Sequence, residues 1–402
     1  MFDSLLGRFG YIKAERNRLG EFWYTIDTNG FSDDGKYLQL SLTNPVLMTI
    51  IALRSNIYSQ MEIKHLNANG EIIENSPVIA LLNSPNYFQS KEDFFFQQMW
   101  FMSASGNNYT YQRKAFNTDV LPKALYNLVP AEIDFNQQNK LNKFIFTQKD
   151  FNSYGERKIK YKLDDTLIEI PFNAIIPFYD LGNGLTNNAF MQSPSRVRGI
   201  LKPLQNIEEN LKAKHVNLQM AQKFIGRNQS TGNEAQMQEG DKNAIERVIS
   251  SKSLVLTNRA NVEVQHLVND LKRLYLDDQF SMDALKCLLA YDMNKDILNY
   301  FGNGASTFDN QERGELRYLQ NSIIPMANST MNSFSQQFGL FEKGEKLVAS
   351  YDHLNVMQPV INEKIDTLLK LENTIKVGIE NGTITPSEAV EMSKQLRIKL
   401  GL

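Results

Sequence analysis

The stretch Asn299–Leu316, "NYFGNGASTFDNQERGEL", lies between two segments of helical periodicity, and its reading decides the fold. Gly302 and Gly304 free the backbone of the β-carbon that restricts other residues. Asn303, Ser306, Thr307 and Asn310 are turn formers. Asp309 is the only charge before Glu312, and Phe308 is the one aromatic side chain after Gly302. On composition alone this is an ordinary connection between helices.

The helix before it covers roughly 269–301, with Met282, Leu285, Leu289, Met293 and Ile297 along one side. The helix after it covers 313–338. Its seam is Leu316, Leu319, Ile323, Ala327, Met331, Phe334 and Phe338, and Pro325 is expected to kink it. Further upstream, Ser193-Pro194 opens another long helical stretch. Leu204, Ile207, Leu211, Leu218, Ala221 and Ile225 give it a narrow apolar stripe interrupted by Lys214, and Pro203 marks its start or kinks it. Between Arg196 and Arg227 seven bases face only Glu208 and Glu209. Between these helices, "GRNQSTGNEAQMQEGDKN" (226–243) is polar and glycine-broken. "SLVLTN" and "NVEVQHL" read as two strands joined by a tight turn.

The N-terminal half mixes periods. Residues 1–40 read as an amphipathic arm and loop. In "TNPVLMTIIALRSNIYSQ" (43–60), Val46, Ile50, Leu53 and Ile57 share one helical face. Ser76-Pro77 and Ser90 with Asp93 are helix starts. The aromatic crowd Phe94, Phe95, Phe96, Trp100 and Phe101 requires burial. From about 107 the period becomes two, in "NNYTYQRK", "ALYNLVPAEIDF", "KFIFTQ", "RKIKYKL" and "TLIEIP". Lys158, Lys160 and Lys162 there read as the solvent face or edge of a strand. The tail is a helical hairpin whose second member opens with the capping box Thr385-Pro386-Ser387-Glu388. The fold class is α+β.

The chain of 402 residues is 42% hydrophobic and 22% charged, enough to bury a core. No apolar run approaches the roughly 20 residues of a membrane-spanning helix. A formal charge of −2 argues against tight general DNA binding, which favours basic chains. The sole cysteine, Cys287, sits in the apolar "ALKCLLAY" with no histidine nearby, so it reads as a structural thiol. His65, His215, His266 and His353 are scattered without metal-ligand spacing. Gly302-Asn303-Gly304 lacks the lysine and the preceding strand of a phosphate loop. Asp277-Asp278 and Asp292/Asp296 read as solvated helix faces. No catalytic residue, metal site or cofactor is expected, and the chain is not read as an enzyme.

The order of these features resembles the portal proteins of tailed bacteriophages, in the family typical of long-tailed phages. The resemblance is carried by "NPVLMTIIALRSNI", "LLNSPNYFQSKEDF", "SASGNNYTYQRK", "ALYNLVPAEIDF", "SSKSLVLTNRANVEVQHL", "DDQFSMDALKCLL" and "STFDNQERGELRYLQNSIIP". It ends in Gly382, Thr385 and Glu388, and so runs from about residue 43 to 391. Each motif is weak alone; their collinearity is the signal. The family's Gly-x-Pro-x-Gly stretch after the first long helix is absent here. So is its Val-Pro-Pro after the second, where "YFGNGAS" stands instead.

The resemblance implies a portal fold. Its parts are an N-terminal arm and mixed α/β wing (1–195), a first stem helix (196–227), a small α/β clip (228–268) and a second, antiparallel stem helix (269–301). A tunnel loop (302–312), a kinked helix with wing return (313–355) and a helical crown (356–402) follow. It further implies a homo-oligomeric ring, usually a dodecamer, at one capsid vertex of the virion, assembled in the host cytoplasm. Double-stranded DNA would pass through it non-specifically during packaging and ejection. Asn303, Ala305, Ser306, Thr307, Phe308 and Asn310 would line the tunnel. Arg198, Lys202, Lys212, Lys214 and Lys223 would face the lumen or a neighbouring subunit. Clip residues Asn233, Glu234, Gln238, Asn258 and Arg259 would meet the large terminase and later the head–tail connector. Major capsid protein and scaffold are further implied partners, and no membrane is. A loop poor in lysine suits sliding, because each phosphate contact by a base adds steeply to affinity. The alternatives are a phage DNA-processing nuclease and a monomeric head–tail adaptor.

Overall fold

The computed structural model describes residues 13–16, 22–25, 33–115, 120–134, 158–163, 166–182, 192–221, 224–228, 262–266, 276–295 and 308–400. They form an α+β chain that divides into two compact units. One is drawn from residues 1–200 and 288–402, the other from residues 201–287.

The first unit opens with an antiparallel strand pair, β1 (Lys13–Arg16) and β2 (Phe22–Thr25), then helix α1 (Asp33–Thr43). All three fall in the stretch expected to be arm and loop. Helix α2 (Pro45–Ser59) starts where Asn44 accepts hydrogen bonds from the amides of Val46 and Leu47, with proline in the first turn. Strand β3 (Glu62–Leu66) follows. Helix α3 (Pro77–Asn83) is capped by Ser76, and helix α4 (Lys91–Ser105) by the Ser90–Asp93 capping box. Both starts stand where the sequence places them.

Gly106 ends α4 at φ +85°, and a β-carbon there would stand 2.7 Å from the carbonyl oxygen of Pro194. Only glycine fits that approach, which lets α4 turn directly into β4 (Asn107–Arg113). Strand β4 is the centre of a sheet between β5 (Ala124–Leu128) and β9 (Ile175–Tyr179), antiparallel to both. A second sheet runs β6 (Ile133–Asp134), β7 (Lys158–Leu163) and β8 (Thr166–Pro171). In it β7 is the middle strand, so its lysines do not guard an edge. Ile159 is buried, and Lys158 pairs across the strands with Glu169 at 3.0 Å. "KFIFTQ" lies outside the described residues.

Helices α2 and α4 pack on each other around an aromatic cluster. Phe95 meets Tyr58, Phe94 and Phe334 edge-on, and Phe334 also touches Phe178 and stacks on Phe338. A second apolar group, with Tyr109, Leu128, Ile133, Ile159, Ile170, Phe172 and Ile175, joins the two sheets.

Helix α5 (Arg196–Ala221) leaves the first unit and keeps Pro203 inside it, so the proline does not mark its start. Leu204 and Ile207 are buried, but Leu211 is 42% exposed. Among the stripe residues whose burial is described, coverage therefore stops before Leu211. The helix also ends earlier than expected: Ile225 belongs to β10 (Phe224–Asn228), which pairs antiparallel with β11 (Val262–His266). The stretch "SLVLTN", expected to pair with β11, lies outside the described residues.

Helix α6 (Leu276–Ala290) buries Asp283, Ala284, Cys287 and Leu288, while Met282 and Leu289 are 59% and 61% exposed. The sequence-based seam through Met282 and Leu289 is thus incorrect. "ALKCLLA" is apolar on two faces, and packing selects the one carrying the small Ala284 and Cys287. Burial pushes the Cys287 thiol up to about 12, which keeps it protonated and unreactive.

Helix α7 (Phe308–Tyr318) passes into a π-helical turn at Leu319–Ile323 and then into helix α8 (Ile324–Gln337). Of the predicted seam, Leu319, Ile323, Ala327, Met331, Phe334 and Phe338 are buried. Strand β12 (Lys346–Ser350) then pairs antiparallel with β3, nearly three hundred residues upstream. Helices α9 (Gln358–Glu380) and α10 (Pro386–Leu400) close the chain, with Thr385 and Glu388 exchanging the capping-box hydrogen bonds. Among the described residues no helix is long and apolar enough to cross a membrane.

Candidate functional site

Four chain segments converge on an ion ladder in the first unit, buried at Arg54 and Asp180 and open to solvent at Asp292. Helix α2 contributes Arg54, the residue after β9 is Asp180, helix α5 begins with Arg196, and the turn after α6 supplies Asp292. The Arg54 and Asp180 side chains are both 0% exposed, with Nη2 to Oδ1 at 2.6 Å. Arg196 Nε donates to the other oxygen of Asp180 at 2.7 Å. Its Nη1 donates to Asp292 Oδ2 at 2.9 Å and to the Ala290 carbonyl at 2.7 Å. The Tyr291 ring lies within cation–π range of both guanidiniums, 5.5 Å from Arg54 and 6.0 Å from Arg196. The Tyr291 hydroxyl donates to the Ser103 carbonyl at 2.9 Å.

The electrostatics follow from this geometry. Burial alone would lower the Arg54 pKa; Asp180, as charge and as acceptor, reverses that and leaves it raised. Burial raises the Tyr318 hydroxyl above its ordinary value, against the Arg54 charge beside it. The ladder reaches the α7–α8 junction at two points. Ser322 Oγ lies 3.4 Å from Asp292 Oδ2, and Met326 Sδ lies 3.4 Å from Arg54 Nη2.

This hub was missed in the sequence. One signal for it existed: an arginine inside the apolar run "TIIALRSNIY" needs a buried partner, since an unpaired buried charge is costly. Helix α2 is accordingly buried on more than the one face that periodicity indicated. Asp292, read as part of a solvated helix face, is 53% exposed but stands past the end of α6, on a left-handed backbone at φ +61°, and pairs with Arg196.

The candidates named from sequence fare unevenly. Asn303, Ala305, Ser306 and Thr307 lie outside the described residues, as do Lys223, Asn233, Glu234, Gln238, Asn258 and Arg259. Phe308 and Asn310 stand in the first turn of α7, not in a loop, so the loop's second boundary is corrected to before Phe308. Helical geometry wins there because "FDNQERGEL" keeps its period across Gly314. Arg198, Lys202, Lys212 and Lys214 are exposed on α5. Arg198 and Lys202 are one turn apart on one face, which they share with Lys212 farther along. Among the described residues there is no group of three or more His, Cys, Asp or Glu side chains placed to hold a metal.

No protein-family model matches the chain, and no curated protein sequence does. Solved structures do. A chain in the neck of an empty gene transfer agent (GTA) particle, computed with C6 symmetry, superposes with a TM-score of 0.64 at 11% identity, over 93% of this chain and 94% of that one. A chain in the neck of the native GTA particle, computed with C12 symmetry, gives 0.60 at 12% identity, over 91% and 93%. A HK97-family phage portal protein from Corynebacterium diphtheriae is a slighter likeness, with a TM-score of 0.49 at 10% identity, over 77% and 93%. The chain therefore has the fold of the GTA neck chains, and its structural neighbours include a phage portal protein.

Proposed function

We propose that this chain is a portal protein. Identical copies close into a ring at one vertex of a phage-like capsid, and double-stranded DNA passes through the hole during packaging and ejection. The observation that carries the reading is fold likeness along nearly the whole of both chains. This chain and a GTA neck chain match over 93% and 94% of their lengths. The collinear portal-like motifs of the sequence point the same way. So does the rotational symmetry applied to both GTA necks, because a closed ring places every copy in the same environment.

In this reading α5, α6 and the β10–β11 pair form the stem and the base of a clip. The clip is where a packaging ATPase and then a connector would dock. The segment ahead of Phe308 faces the tunnel, and Asn303, Ser306 and Thr307 brush the backbone without a lysine to hold it. Lys202 and Lys212 attract DNA diffusely or meet acidic groups of an adjoining copy. Force is generated by the ATPase, not by this chain.

Mass photometry of the full chain under assembly conditions tests the ring. Closed oligomers support it; a population only at the 46.1 kDa chain mass points to a monomeric adaptor. Incubation with magnesium and plasmid DNA tests the nuclease alternative, and intact plasmid is the expected result.

A further inference from the structure

The helix that runs from Phe308 to Gln337 carries one residue too many. Its π turn at Leu319–Ile323 spans five residues where an α-helix uses about four, so it stores the equivalent of a one-residue insertion. We propose that this turn is a register switch. Helix α7 has two positions relative to the core, one with the π turn kept and one with it resolved into α-helix, and the ion ladder selects between them.

The two sides of the turn are anchored very differently. Helix α8 is fixed. Thr330 Oγ1 accepts the Tyr58 hydroxyl at 2.8 Å, Asn328 accepts the Ala349 amide at 3.1 Å, and Ser335 Oγ accepts the Leu347 amide at 2.9 Å. Ala327, Met331 and Phe334 are buried beside these contacts. Helix α7 is less firmly held: Glu312, Arg313, Glu315 and Arg317 are exposed, Leu316 is half-buried, and of its residues with described burial only Gly314 and Tyr318 are buried. A change of register is therefore taken up by α7. Resolving the turn moves α7 by about 1.5 Å along its axis and about 100° around it, the rise and rotation of one helical residue. Phe308 and Asn310, at its start, travel with it.

Each register has something in its favour. The one observed keeps Ser322 against Asp292, which Arg196 already holds. It also leaves two buried groups unsatisfied: neither the Tyr318 hydroxyl nor Arg54 Nε has a hydrogen-bond partner. The other gives up the Ser322 contact, carries Tyr318 out of its buried position and restores regular helical hydrogen bonds. A ligand or movement that shifts Asp292 acts on this choice, because only a differential contact can move a two-state balance. Asp292 stands where α6 ends, so the end of one long helix is tied to the position of another. The inference rests on helix geometry and stands or falls apart from the portal reading.

Paired spin labels on Arg313→Cys and Lys346→Cys in the full chain test it, with labelled chain diluted into unlabelled chain. Both positions are exposed, and Cys287 is buried. Pulsed dipolar spectroscopy is expected to give two distances in this background. Deleting the exposed Asn321 removes the stored residue and leaves only the distance of the present structure. Ser322→Ala, which keeps the helix but loses the latch, raises the second distance's share at least twofold. A single, common distance in the labelled parent and in Ser322→Ala overturns the proposal, as does a deletion variant that folds and retains both. If the deletion variant fails to fold, the comparison with Ser322→Ala decides alone.

Discussion

Arg54 concentrates the physics of the fold in one side chain. A fully buried guanidinium is tolerable only because Asp180 takes its charge at 2.6 Å and Tyr291 offers a ring face. Removing one partner of such a pair leaves the other buried and uncompensated, at a cost of about 3–5 kcal/mol. Asp180→Ala, which strands the buried Arg54 guanidinium, is expected to lower unfolding free energy by that amount in denaturant titration; Arg54→Ala should cost less, because Arg196 still pairs with Asp180. Arg198→Ala, on the exposed face of α5, should stay within about 0.5 kcal/mol of the parent. Arg54→Lys should fall between, since lysine keeps the charge but loses the planar fork that spans both carboxylate oxygens.

At the scale of elements, the β3–β12 pair ties the chain's late residues to its early ones, and Lys64–Asp352 sits at its end, 3.2 Å apart. Burial alone would raise the Asp352 carboxyl, but hydrogen bonds from Ser350 and Lys64 and the Lys64 charge outweigh it and leave it lowered. A carboxyl depressed in the folded state stabilises fully above its unfolded range near pH 4 and loses that contribution as pH falls through the folded value. The pair is 34% and 43% exposed, so solvent screening limits it to at most about 1 kcal/mol. Asp352→Asn should therefore cost a fraction of a kilocalorie at pH 7 and nothing at pH 2, read from unfolding curves at both.

Elements were legible where local chemistry is decisive. The caps at Ser76, Ser90 and Thr385 and the seam from Leu319 to Phe338 follow from short-range rules. Choice of face was not legible in α6, where apolar residues occupy two sides. Nor were β9 and β12, because strand pairing is decided by distant chain. The predicted kink at Pro325 proves to be a π turn just before it. Inside this continuous helix the proline has no amide to give to the preceding turn, and the π turn stands directly before it.

For the whole molecule, the α+β class was readable, and the fold is that of the GTA neck chains. The candidate site was less so. The tunnel and clip residues were inferred from resemblance alone, whereas the ladder of Arg54, Asp180, Arg196 and Asp292 assembles from positions up to 238 residues apart and no spacing announces it. The exposed bases of α5 belong to this scale as well, since the proposed ring would multiply any weak attraction by the number of its copies.

Electron micrographs of the purified full-length chain under assembly conditions, sorted for end-on views, address the ring directly. The account predicts annuli of about twelve subunits enclosing a stain-filled hole wide enough for duplex DNA. Particles that are solid, or that remain single 46.1 kDa chains at every concentration and with scaffold present, would contradict it.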